Sequence, residues 1–589
     1  MVKCCVMNPI ATNKNSKKDY SNLSKEDLVK ILEKLESRKK YGLIWDEDKV
    51  KEQFEKDAEN ALPVIKEVKG KEITDKDDTK PVNILIEGDN YHALSVLNFT
   101  HQGKVDVIYI DPPYNTGNKD FIYNDNFNKG YVDREDSFRH SKWLSFMSKR
   151  LRLASNLLKD TGIIFISIDD NEQAQLKLLC DEIFGDSNFI ACLPTIMNLK
   201  GNQDQFGFAG THEYTLVYTK DITKAKIGEF IIEDEDLEEW KQDDLGYYKR
   251  GANLKSTGVN APRSKRPNLF FPVFVTPDGN LYVSENNIER NNKDTKVLPI
   301  TDGKEMSWRW SKDKFKNETH NLIIENNNGT VTIYKKQRPS LGDLPSKKPK
   351  TIFYKPEYSS GNGTAQLKDI FSDKVFSNPK PIDLIKDLIH IASPSDGIVL
   401  DFMAGSGTTG QAVLKLNTEN KSHIKFILCT NNENNICEEI TYPRIEKVIL
   451  GYTNRIKVKT EGLGGSLKYF KTKFIKKTAN KDDLKIRITK ECTEMLCLRE
   501  GIFDEIKTTD DYRVFQKGNK VLAAYYSLDR KALAELKKDL SKIEGDKILY
   551  CFTLDPLGLN KKDFSGWKDV TVEPIPQKIL DVYKQIYEY

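Results

Sequence analysis

The 589 residues predict an α/β protein: one largely parallel sheet, interrupted by an insertion and followed by an α+β module. Three observations carry this. Short apolar runs alternate with helix-spaced stretches between 82 and 168, the alternation lapses from about 221 to 350, and it resumes near 376 with a glycine-rich loop between strand and helix. Such alternation is the pattern of parallel strands joined by crossover helices.

The elements follow in order. Leu28, Ile31, Leu32 and Leu35 recur at i, i+3, i+4 and i+7, so residues 23 to 60 read as helical, and Glu67 to Lys80 is a charged linker. Residues 1–80 are therefore expected to form a helical arm and linker. Val82 to Ile86 is a first strand, followed by Glu87-Gly88-Asp89-Asn90 and a helix through Leu97. Val105 to Ile110 is a second strand, ending at Asp111-Pro112-Pro113-Tyr114. A helix from about Ser137 to Lys159 leads to a third strand, Gly162 to Ile168. Between 221 and 350 an acidic stretch, Glu233 to Asp244, precedes a basic and aromatic region with β-like fragments such as Leu269 to Val275. Then come a helix (Pro381 to Ile391), a strand (Ile398 to Leu400), the glycine loop, a helix (Thr408 to Leu416) and a strand (Lys425 to Cys429). Residues 471–589 mix α and β, with a helix over Lys531 to Leu540, and read as a separate C-terminal module.

Composition removes several classes. Lys and Arg total 92 against 88 Asp and Glu, a formal charge of +4 with a pI near 8.2, which excludes a histone-like protein held by bulk charge. Mean hydropathy is −0.58 and no apolar run reaches the ~18 residues of a membrane span. Met1 to Tyr20 is polar, without a hydrophobic signal core. The nine cysteines form no C-x-x-C pair and no Cys/His cluster, so reduced thiols in a cytoplasmic protein, and no metal site, are expected.

In Leu400-Asp401-Phe402-Met403-Ala404-Gly405-Ser406-Gly407-Thr408-Thr409-Gly410, the three glycines satisfy the dinucleotide fingerprint G-x-G-x-x-G. No Lys-Ser/Thr pair follows, so the loop is not a P-loop. A nicotinamide site needs an acid about 20 residues on, but the next strand ends in Thr430-Asn431-Asn432-Glu433, leaving that acid absent or displaced. Asp401 instead suits a cationic ligand such as S-adenosylmethionine (AdoMet). The bland reading is a glycine turn that packs strand against helix.

Asp111-Pro112-Pro113-Tyr114 suits an exocyclic amine. The Asp111 carboxylate accepts one N–H and the Pro112 carbonyl another, Pro113 fixes φ and removes a donor, and Tyr114 offers a stacking face. Catalysis would then be positioning and electrostatic preorganisation, with the cofactor supplying the reactive methyl. The bland reading here is a proline turn closing a strand.

Further segments join these two motifs: Gly88-Asp89-Asn90, Trp143-Leu144-Ser145-Phe146-Met147, Ile168-Asp169-Asp170-Asn171-Glu172, Thr211-His212-Glu213-Tyr214 and Pro379-Lys380-Pro381. Together they resemble the modification subunit of type III restriction–modification systems, a β-class adenine-N6 DNA methyltransferase, over about 81 to 470. The resemblance implies a circularly permuted Rossmann-like AdoMet-dependent methyltransferase sheet. Its catalytic half is 81–220, an inserted target-recognition domain 221–350 and its AdoMet-binding half 351–470. It assigns catalysis to Asp111, Pro112, Pro113 and Tyr114, with Asp at the first position favouring adenine N6 over cytosine N4. It assigns AdoMet binding to Asp401, Phe402, Ala404, Gly405, Ser406, Gly407 and Thr408, with Lys380 flanking. Asp89 is an AdoMet contact or a plain turn aspartate. Thr430 stands where many methyltransferases carry a ribose-binding acid, with Glu433 as a possible substitute. A homodimer and an ATP-dependent restriction subunit are the implied partners.

A base within a duplex cannot reach such a pocket and must be flipped out. The reader is expected in the insertion, where Lys249, Arg250, Lys255, Arg263, Lys265, Arg266 and Arg309 suit phosphates and base edges of double-stranded DNA. Each alone reads as a solvated charge, and Trp308 and Trp310 read as a satellite core or a base wedge. The alternatives are an orphan DNA or RNA methyltransferase, a protein methyltransferase (which typically carries Asn where this chain has Asp111), a nicotinamide oxidoreductase and a non-catalytic DNA-binding module.

Overall fold

Apolar runs too continuous for a sheet with one wet face dictate a sheet covered on both sides. In the computed structural model, which describes residue 45 and residues 61–587 apart from 76, 78, 79, 125–128, 202–206, 232–238, 328, 329, 339–345, 479, 556, 557 and 568, nine strands form that sheet. In chain order they are β1 (Ala61–Glu67), β2 (Val82–Glu87), β3 (Val105–Ile110), β4 (Leu158–Ile168) and β5 (Phe189–Ile196). The rest are β6 (His212–Thr219), β7 (Ile398–Asp401), β8 (Lys425–Thr430) and β9 (Ser466–Lys476). Their spatial order is β1-β9-β2-β8-β7-β3-β4-β6-β5. The six strands from β9 to β4 run parallel, while β1 pairs antiparallel with β9, and β6 with both β4 and β5. The sheet is therefore mixed.

Alternate residues of each inner strand feed two cores, the period-2 consequence of the pleat. Ile84, Ile86, Ile108 and Ile110 face one core, and Leu85, Val107 and Tyr109 the other. The first core is closed by α1 (Asn90–Thr100), α2 (Arg139–Leu157) and α3 (Gln173–Phe184). On the second face lie α4 (Ser360–Phe371), α5 (Ile382–His390), α6 (Thr408–Asn420) and α7 (Tyr442–Leu450).

Two expectations change. The helix expected over 23–60 lies, residue 45 apart, outside the described residues, as does the first half of the acidic stretch that begins at Glu233. Within the expected arm and linker, Ala61–Glu67 is a strand. Leu62, Val64 and Ile65 are fully buried on the sheet's edge, and a local charge count could not register that long-range pairing with β9. The C-terminal residues also do not stand apart. Their five-stranded sheet, from Glu505–Thr508 to Val570–Ile575, and the helices α8 (Lys481–Glu491), α9 (Thr493–Glu500) and α11 (Gln577–Tyr587) bury Leu484, Met495, Leu522, Tyr550 and Ile579 in the first core. Helix α10 (Leu533–Ser541) packs on that sheet's other side through Leu536 and Leu540.

Residues 240–337 build a four-stranded and a three-stranded sheet around their own core of Leu254, Phe271, Val273, Trp308, Phe315 and Ile333. At its base, Phe230–Ile231 pairs with Ser346–Lys347, bringing entry and exit of this segment together.

Candidate active site

Strands β2, β3, β7 and β8 end side by side, and open α/β sheets bind ligands beyond the carboxyl ends of their strands. Asp111 follows β3 directly, Phe402 follows β7, Gly88-Asp89 follow β2, and Thr430 closes β8. These ends open into one cleft of about 870 Å³, lined by Asp111 to Tyr114, by Phe402, Met403 and Gly405, and by Asp89, Lys380, Thr430 and Glu433. The two motifs, separated by about 290 residues of sequence, thus share one cavity.

The Asp-Pro-Pro-Tyr turn is held from behind. The Trp143 indole, wholly buried in α2, donates to the Pro113 carbonyl at 2.7 Å. Asn115, in the left-handed region at φ 59°, donates to Glu172 Oε1 at 2.5 Å and to the Arg139 carbonyl at 3.2 Å. His140 Nδ1 lies 2.7 Å from the same Glu172 oxygen, and burial pushes the Glu172 carboxyl up to about 7.

On the cleft side, Lys380 Nζ donates to Glu213 Oε1 and Oε2 at 2.6 and 2.7 Å and to the Tyr114 hydroxyl at 2.6 Å. The Tyr114 hydroxyl also donates to Glu213 Oε2 at 3.1 Å. Lys380 Nζ is 3.4 Å from Asp111 Oδ1, a solvent-shielded oxygen that accepts no hydrogen bond from the described residues. Burial raises the Asp111 carboxyl above its ordinary value, opposed by Lys380 and reinforced by the Glu213 carboxylate. Burial works to lower the Lys380 ammonium, but Asp111 and Glu213 prevail and hold it above its ordinary value. Lys380 reaches this place because Gly363 in α4 lets the Pro379–Pro381 backbone approach where a side chain would collide.

The glycine loop divides into a cleft face and an inner face. Gly407 sits at φ 80° as the residue before α6, a conformation that favours glycine. Asp401, expected to meet a cationic ligand, is 3% exposed and turns inward: it accepts from the Met403 N–H at 2.9 Å and the Thr409 hydroxyl at 2.5 Å. Burial pushes its carboxyl up to about 7. Ser406 and Thr408 also turn from the cleft, because the fully buried Arg444 of α7 donates to their hydroxyls at 2.9 and 2.8 Å. Ala404 and Gly407 are likewise not part of the cleft wall. Asp89 borders the cleft yet spends Oδ1 on the Tyr91 N–H at 2.8 Å as the cap of α1, with Arg150 at 3.4 Å.

Sequence reasoning assigned no role to Glu213 or Arg444. The signal for Glu213 was an acid within a strand, His212–Thr219, whose other members are mostly buried, since a buried charge demands a partner.

The basic residues expected to meet DNA do not converge on the cleft. Lys249 pairs with Glu239 at 3.6 Å, Arg250 with Glu325 at 3.0 Å and Arg263 with Glu305 at 2.9 Å. Lys255 Nζ donates to the Ile300 carbonyl at 3.1 Å, and Arg309 lies 3.5 Å from the Thr257 hydroxyl. Lys265 and Arg266 are exposed and, among the described residues, have no ion-pair partner. Trp308 is core: it is fully buried and donates to the Phe271 carbonyl at 2.8 Å.

Residues 105–442 match the model of the N6/N4 methyltransferase family, described as DNA methylase. The chain is 46% identical over 372 residues to the type III restriction-modification enzyme EcoPI Mod subunit of Escherichia phage P1, covering 60% of this chain and 58% of that one. It is 36% identical over 346 residues to the type II methyltransferase M.KpnI of Klebsiella pneumoniae, covering 59% of this chain and 79% of that one. It is 32% identical over 406 residues to the type III restriction-modification enzyme StyLTI Mod subunit of Salmonella typhimurium, covering 64% and 57%. The match therefore spans little more than half the length of the two Mod subunits.

Proposed function

Because the chain belongs to the DNA methylase family, we propose that it transfers a methyl group from AdoMet to the N6 amine of a flipped-out adenine in duplex DNA, as the modification subunit of a type III restriction–modification system. The observation that carries this reading is the single cleft shared by Asp111–Tyr114 and the Phe402–Gly405 turn.

The residues present fit AdoMet. The cleft exposes the Asp89, Asp111 and Glu433 carboxylates, the chemistry that a sulfonium and an ammonium require, and Gly405 keeps its wall free of a side chain. Asp89 and Glu433, with Phe402 and Gly405, are the candidate contacts. Asp401, Ser406 and Thr408, joined by Thr409 and Arg444, hold the loop's shape from inside. Once bound, the cofactor supplies a methyl group activated on a sulfonium.

The target amine is bound by the Asp111 carboxylate and the Pro112 carbonyl, with the base on the Tyr114 ring, whose hydroxyl is tied by Lys380 and Glu213. Two acceptors on one nitrogen direct its lone pair toward the methyl carbon. The proton that the amine loses on methylation would pass to Asp111, whose proton affinity is raised by burial and by Glu213. Lys380 keeps the two carboxylates together and fixes Asp111 before substrate arrives, which is preorganisation.

The sheet is read as circularly permuted, with 81–220 the catalytic half and 351–470 the AdoMet half. Residues 221–350 form an inserted target-recognition domain, and 471–589 a docked C-terminal module. Lys265 and Arg266, exposed and without an ion-pair partner among the described residues, lead the DNA contacts, with Lys249, Arg250, Lys255, Arg263 and Arg309 released from local partners on binding. A homodimer, an ATP-dependent restriction subunit and a cytoplasmic location complete the reading. Among the described residues no helix is long and apolar enough to cross a membrane.

The test is transfer of a labelled methyl group from AdoMet to duplex DNA, followed by nucleoside analysis. N6-methyladenine is expected, with near-complete loss in Asp111→Ala; full activity in that variant, or N4-methylcytosine as product, overturns the assignment.

A further inference from the structure

A second cavity, of about 340 Å³, opens on the edge of the central sheet opposite the cleft. It lies where the first residues of β2, β7 and β8 meet the end of α9 and the C-terminal sheet, and five of its lining residues are Lys80, Lys104, Lys425, Arg499 and Lys517. Lys80 is paired with Asp75 at 3.1 Å and Arg499 with Glu500 at 3.7 Å. Lys104 and Lys425 have no acidic partner at ion-pair distance among the described residues.

Part of this arrangement has a structural purpose. Lys104 Nζ donates to the Thr100 and Arg499 carbonyls at 3.1 and 3.3 Å, and Arg499 Nη1 to the Phe99 carbonyl at 3.0 Å, capping the last turn of α1. Carbonyl acceptors satisfy hydrogen bonds without cancelling charge. The excess is felt: burial, with Arg499 and Lys520 and against the Glu500 carboxylate that also lines the cavity, holds the Lys104 ammonium below its ordinary value, so an anion there would be favoured. His101, 8% exposed on the cavity wall, has Nδ1 2.8 Å from the Thr100 hydroxyl, and its Nε2 has no partner among the described residues. Ile398, Leu498 and the half-buried ring of Phe503 complete the wall with apolar surface. A cavity with an apolar wall and a few convergent polar groups is the usual build of a small-molecule site, and this one stands at the end of the strands where the methyl-transfer cleft does not.

We propose that this seam cavity binds a small phosphate-bearing molecule with a flat apolar part, the chemistry of a nucleotide. Its phosphates meet Lys104 and Lys425, its flat part lies on the Phe503 side, and its binding ties the C-terminal sheet to the central one.

The test is calorimetric titration of the full chain with ADP, inorganic pyrophosphate and sulfate at matched ionic strength, with AdoMet present to fill the cleft. ADP is expected to bind more tightly than pyrophosphate, and pyrophosphate than sulfate. Lys425 is exposed at the first position of β8, so Lys425→Glu should fold and melt as wild type without ligand, yet bind ADP about tenfold or more weakly. Lys425→Arg should retain binding. No binding, equal binding of sulfate and ADP, or undiminished ADP binding in Lys425→Glu each overturns the proposal.

Discussion

Lys380 Nζ lies 2.6 and 2.7 Å from the two carboxylate oxygens of Glu213, 167 residues away in the chain, and 3.4 Å from Asp111. Two acids and one ammonium share one wall of the cleft, and removing the ammonium leaves two largely shielded carboxylates without their counter-charge. Lys380→Met is expected to lower kcat per folded molecule by about 10²–10³-fold and to destabilise the chain. Adding Glu213→Gln to it should recover melting temperature but not kcat, because removing both partners of a buried pair costs less than removing one. Stopped-flow or quench methyl transfer with parallel melting curves checks both halves.

Glu213→Gln alone removes a negative neighbour that helps hold the Asp111 carboxyl above its ordinary value. Asp111 then ionises at lower pH, and the acid limb of the kcat/KM profile should move to lower pH. A limb that stays in place means that Glu213 does not act on Asp111.

Gly363→Ala places a methyl group against the Pro379 carbonyl oxygen and 3.0 Å from the Lys380 carbonyl carbon, both backbone atoms that yield only if the loop moves. Misplacing Lys380 by an ångström is expected to cost on the order of 10²-fold in kcat/KM. Gly361→Ala, whose methyl would meet only the Ser359 hydroxyl at 3.6 Å, should keep wild-type rates.

Asp401 has a folded-state value of about 7, well above an unfolded carboxyl. Between the two values the folded chain holds a proton that the unfolded chain has lost, so this group's stabilisation is full at pH about 4 and declines as pH rises to about 7. The melting temperature of wild type relative to Asp401→Asn should therefore fall across that window and level off above it. A constant difference would show that Asp401 is ionised in the fold throughout.

Trp308 and the pair Lys265 and Arg266 separate packing from DNA contact. Trp308→Ala should destabilise residues 240–337 by about 3–5 kcal/mol, as large buried aromatics do. The double change Lys265→Ala, Arg266→Ala should leave melting unchanged, weaken duplex binding for any sequence, and reduce the salt slope of the binding constant by about 2. Anisotropy titrations over a range of salt concentrations distinguish the two.

Much of the frame was legible from local pattern. Strands such as Val105–Ile110 announce themselves by unbroken apolar runs, and a motif that directly follows such a strand must stand at the sheet's carboxyl edge. That reasoning placed Asp111 and Phe402 at one edge. Ala61–Glu67 escaped it because its pairing partner, Ser466–Lys476, lies some 400 residues away. The same limit governs the site. That Asp401 faces Thr409, that Arg444 clasps Ser406 and Thr408, and that Glu213 and Lys380 flank Asp111 all follow from how charges are neutralised once burial removes water. Periodicity within a segment encodes which elements form and where they end; the choice of counter-charge is made only when distant segments pack, since it depends on through-space distance and lost solvation rather than on neighbours in the chain.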